Sequence, residues 1–125
     1  MLIPKAAGDF CGKRIRLSVL KKYPWGKSVK HPPLSRDELA LLKLILARLP
    51  ASIATIEGHF ASEITPHEPT FMEHVEKPGI WISRDPEQNK GRDGWTFCIG
   101  RDDDPEPHWY FEFKGSKLVD VYHVR

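Results

Sequence analysis

Cysteine is nearly absent: the chain of 125 residues has two, Cys11 and Cys98. They are far apart and form no C-x-x-C, which excludes a disulfide framework, a zinc ribbon and a dithiol redox centre. No uninterrupted apolar run reaches the ~18–20 residues that cross a bilayer, and MLIPKAAGDF lacks the apolar stretch of a secretory signal. The expectation is a cytoplasmic protein with no membrane partner. The chain also lacks a P-loop, a G-x-G-x-x-G, a G-x-S-x-G and an H-E-x-x-H. Their absence removes the commonest nucleotide and zinc-protease solutions, and no cofactor is expected. Internal repeats and low-complexity segments are missing too.

What is there is ordinary globular composition, 40% hydrophobic and 29% charged, in a length that suits one domain, residues 1–125. The net charge of +2 hides a split. Residues 1–62 carry eleven Lys/Arg against four Asp/Glu, a balance of +7; residues 63–125 carry eight against thirteen, a balance of −5. Such an asymmetry steers a charged partner or is satisfied within the molecule. Cys98, inside WTFCIG, reads as a small buried hydrophobe. Cys11 precedes Gly12 and basic residues that would lower its pKa, although a turn cysteine is the plainer reading.

Hydrophobic spacing gives the elements. In RIRLSVL (14–20), Ile15, Leu17 and Val19 alternate with Arg14, Arg16 and Ser18, the period of a strand with one wet face. KKYPWGKSVKHPP (21–33) is broken by proline and glycine into a loop. Ser35-Arg36-Asp37-Glu38 is a capping box, with Leu34 and Leu39 placed as a hydrophobic staple. The helix it opens is expected to run from about residue 36 to Leu49 and to stop at Pro50. Leu39, Leu41, Leu42, Leu44, Ile45, Leu46 and Leu49 cover most of its circumference, so burial on most sides is expected. Ile53, Ile56, Phe60 and Ile64 predict a second helix. From Gly79 on, GIWIS, GWTFCIG, HWYFEFK and KLVDVYHVR read as strands joined by short turns. The turn at Gly115-Ser116 admits two registers, one pairing Phe113 with Leu118, the other, drier one pairing Phe113 with Val119 and Phe111 with Val121. The fold class is α+β: a mostly antiparallel sheet of about five strands with two helices on one face.

The order strand, PPLSRDELALLKLILARL, IATIEGHF, then strands ending HWYFEFKGSKLVDVYHVR resembles small bacterial domains of unknown function loosely similar to polymorphic-toxin immunity proteins. The resemblance spans roughly residues 14–125 and implies a cofactor-free protein-binding module. It carries no catalytic motif.

Several residue groups invite chemistry. His67, Glu68, Glu73 and His74 combine imidazole with carboxylate, but prolines separate the histidines and no third ligand is fixed by spacing. The run RDDDPEP lacks the spacing of a calcium loop, yet Asp102, Asp103 and Asp104 make an acidic patch for a basic partner. His108 or His123 with Glu112 or Asp120 would serve a small hydrolase. Lys21, Lys22, Tyr23, Trp25, Lys27 and Lys30 combine cations with aromatic rings, which suits either a protein partner or a nucleic acid engaged by residues 14–31. The first expectation is therefore a protein-binding, immunity-like module; nucleic-acid binding is second and an enzyme third. A second apolar sheet face containing Tyr110, Tyr122 and, by register, Val119 or Val121 would call for a homodimer.

Overall fold

The computed structural model describes residues 2–20, 34–67, 69–83, 93–101 and 104–123. A short hairpin comes first, β1 (Asp9–Phe10) and β2 (Lys13–Arg14). Its loop is Cys11-Gly12, both with positive φ, 51° and 75°. That is the geometry of a two-residue turn whose twist matches its strands. β3 (Arg16–Leu20) follows, then α1 (Arg36–His59), β4 (Val75–Ser83), β5 (Gly94–Arg101), β6 (Asp104–Lys114) and β7 (Lys117–His123).

β3 to β7 form one five-stranded sheet in sequence order. β4 to β7 make an antiparallel meander, but β3 runs parallel to β4. The sheet is thus mixed, which corrects the mostly antiparallel expectation. The physical reason is connectivity: the chain leaves β3, runs through α1 and returns beside β3, and such a crossover delivers a parallel neighbour.

The second correction is that the described residues form one long helix and not two. α1 passes through Pro50 without a break. A proline inside a helix costs about 3 kcal/mol. Leu49, Ser52, Ile53 and Ile56 continue the buried face set by Leu41, Leu42 and Ile45. Each large apolar side chain buried returns about 1.5–3 kcal/mol, so the shared face outweighs the proline, whose ring points to water. Phe60 and Ile64 extend the same face through a wider turn, Phe60–Ile64. The capping box forms as expected: Glu38 N donates to Ser35 Oγ at 3.1 Å, and Ser35 N donates to Glu38 Oε1 at 2.9 Å.

Burial on most sides, however, is not found. Leu39 and Leu44 are 43% and 39% exposed. The stretch Arg36–Ile64 is also long and apolar enough to cross a bilayer by length and composition, which the search for unbroken apolar runs did not anticipate.

The core lies between α1 and one face of the sheet. Leu17, Ile80, Phe97, Phe111 and Val121 stand abreast across all five strands. Ile15, Leu17 and Val19 point inward as their alternation predicts. Phe10 reaches in from the hairpin to Phe97 and Phe60, with ring centroids 5.4 and 6.4 Å apart. The last hairpin satisfies both registers at once. Phe113 pairs with Leu118, Phe111 pairs with Val121, and a β-bulge between them leaves Val119 out at 50% exposure.

Candidate binding surface

The sheet face away from α1 follows from the same alternation. One row across it is Arg16, Gly79, Cys98, Tyr110 and Tyr122; the next is Ser18, Trp81, Thr96, Glu112 and Asp120. Trp81, Tyr110 and Tyr122 are half-buried, and Arg16 and Asp120 are exposed. Trp81 meets Tyr110 edge-on at 5.5 Å, and Tyr110 stacks on Tyr122 at 4.9 Å and 13°. The floor beneath them is small. A Cβ on Gly79 would stand 3.2 Å from Cys98 Sγ and 3.7 Å from Trp81 Nε1, so a larger residue there would press on the thiol. The thiol of Cys98 is directed at Gly79 O, 3.6 Å away.

Burial pushes the Cys98 thiol up to about 12. The Tyr122 hydroxyl is also pushed up, first by burial, then by the Glu112 charge, and it is hydrogen-bonded to Glu112. Both groups are therefore held protonated at neutral pH, and neither is a ready nucleophile. Chemically the face offers flat aromatic surface, one guanidinium and two carboxylates: the makings of recognition.

Lys21, Lys22, Tyr23, Trp25, Lys27, Lys30, Asp102 and Asp103 lie outside the described residues. Asp104 opens β6, opposite Arg101. Of the basic residues preceding them, Arg14 donates to Ile3 O at 3.0 Å.

The imidazole–carboxylate pairing expected on β6 and β7 is not assembled from His123. That ring stacks on Trp109 at 4.4 Å, on the side facing α1 and Phe60, whereas Glu112 and Asp120 face the opposite way. The side chain of His108 is outside the described set. His67 and Glu73 are exposed, and among the described residues no three His, Cys, Asp or Glu side chains are gathered as a metal ion requires. Cys11 is the turn cysteine of the plainer reading; burial, then Glu57 and Asp9, raise its pKa, against the lowering that its basic sequence neighbours suggested. The basic neighbours in sequence are not its neighbours in charge. Lys13, the nearest, makes a 2.9 Å ion pair with Glu76.

No protein-family model matches the chain, and neither a curated protein nor a solved structure does.

Sequence reasoning named Tyr110 and Tyr122 for this face and missed Trp81. The signal was present. In GIWIS, Ile80 and Ile82 flank Trp81, so period two sends the indole to the side opposite the core.

Proposed function

We propose that the protein is a small cofactor-free binding module, of the immunity-like kind, that engages another protein through the outer face of its sheet. The observation that carries this reading is the adjacency of Trp81, Tyr110 and Tyr122 beside Arg16, Glu112 and Asp120 on one flat, partly open surface. Tyrosine, tryptophan and arginine are the residues that dominate protein interfaces, because they bury large area with few rotamers to fix. Charges of both signs on the same surface favour a protein over a nucleic acid, whose phosphates Glu112 and Asp120 would repel. A symmetric dimer through this face is compatible with the reading.

The test is comparative capture. Wild-type protein and the variants Arg16→Glu and Tyr122→Ala are each used as bait, with folding checked by circular dichroism. A partner held by the wild type and lost with both variants supports the reading. Capture indifferent to both variants, or none at all, overturns it. A nucleic-acid ligand is recognised in the same experiment by affinity that falls steeply as salt rises.

A further inference from the structure

The exposed face of α1 goes beyond that reading. An isolated apolar pattern on most sides of a helix is harmless when the fold buries it; here the fold buries one face only. Leu39 and Leu44 stay open to solvent, and Ala40, Ala47, Ala51 and Ala54 are exposed along the same side. Yet the stretch Arg36–Ile64 is apolar enough by composition to suit a bilayer, and less than half of its most apolar part is buried. Exposed apolar surface of this kind marks a contact.

Charge chooses the occupant. The exposed residues from Leu39 to Thr55 include Lys43 and Arg48 and no acid; outside that stretch the exposed Arg36 is offset by its exposed neighbour Asp37, and Glu57 stands at the far end. The segment that leads into α1, residues 21–33, holds four lysines and no acid. A second copy laid along the middle of this face would set Lys43 and Arg48 near the same cations. A bilayer with anionic headgroups receives them, with leucines below and cations at headgroup level. The buried face, packed on the sheet, fixes the orientation: the helix lies along the interface and does not cross it.

We propose that the outer face of α1 is a docking surface for an anionic lipid membrane, with Leu39 and Leu44 entering the interface and Lys43 and Arg48 meeting the headgroups. The proposal departs from the expectation of no membrane partner.

Flotation with vesicles tests it, using phosphatidylcholine alone and phosphatidylcholine mixed with phosphatidylglycerol. A cation near an anionic surface strengthens binding about fivefold, so Lys43 and Arg48 together give a preference of about 25-fold for the anionic vesicles. Lys43→Glu with Arg48→Glu should abolish that preference, and Leu44→Glu should weaken binding to both vesicles. Lys114→Glu with Lys117→Glu, at the far hairpin, should leave binding nearly unchanged. These positions are exposed, so the variants keep their fold, which circular dichroism checks. Absence of binding to anionic vesicles overturns the proposal. So does binding that ignores the α1 variants, which would put the contact elsewhere. A dimer seen by sedimentation that Leu44→Glu dissolves, without vesicle binding, assigns the face to a second copy.

Discussion

Cys98 and Tyr122 share the outer row of the sheet, and both hold their protons more tightly than free side chains do. This has a consequence for stability. An unfolded thiol ionises near 9.0, while folded Cys98 keeps its proton to about 12. Between those values the unfolded chain has released a proton that the native state retains, so stability falls as pH rises. The contribution is intact below pH 9 and declines by at most about 1.4 kcal/mol per pH unit above it. Tyr122 acts in the same direction at the alkaline end. Urea midpoints measured from about pH 8 to about pH 11 should decline steadily in the wild type and less steeply in Cys98→Ala and in Tyr122→Phe. Equal slopes in all three proteins would show that the outer row is wetter than its geometry implies. Gly79 belongs to the same local design. Its missing side chain leaves space that a Cβ would take 3.2 Å from the thiol and 3.7 Å from the Trp81 indole nitrogen.

Pro50 is the place where a local rule and the fold disagree within one element. The helix around it is intact, its ring is exposed, and it withholds one backbone donor from the turn before. Pro50→Ala restores that donor. It should stabilise the protein by about 2 kcal/mol, the helical gain of about 3 kcal/mol less up to about 1 kcal/mol for the freer unfolded chain. A thermal midpoint several degrees higher is the expected readout, and a lower one would mean the proline fixes something the helix needs. What was legible in the sequence follows the same division. The capping box and the inward triad Ile15, Leu17 and Val19 depend on neighbours in sequence, and the structure has both. The passage through Pro50 depends on Leu49, Ile53 and Ile56 sharing one surface of a sheet formed far away in the chain. The parallel pairing of β3 with β4 joins segments separated by the whole of α1, and no local pattern encodes it. The last hairpin shows the boundary well. Turn length and burial pointed to different registers, and a single extra residue, Val119, lets the strand obey each in its own half. On the outer face, the two tyrosines were visible from alternation, but their relation to Arg16 waited on the parallel strand.

At the scale of the molecule the question is whether the amino-terminal hairpin is an appendage or part of the core. Phe10 is 1% exposed and touches both Phe60, just past the end of α1, and Phe97, in the central strand of the sheet. Ile3 is buried as well, and its amide donates to Ile15 O at 2.8 Å, which ties the first residues to the strand beside them. The hairpin therefore closes one end of the layer formed by helix and sheet. Removing a phenylalanine from such a site leaves a cavity and costs about 3–5 kcal/mol, a large share of the 5–15 kcal/mol that holds a domain together. Phe10→Ala should lower the urea midpoint sharply while the slope of the transition stays that of the wild type. Fluorescence and far-ultraviolet circular dichroism should report one coincident transition, because hairpin, helix and sheet unfold as a unit. Two separated transitions, with the sheet outlasting the hairpin, would instead make β1 and β2 a removable cover over a core that stands without them.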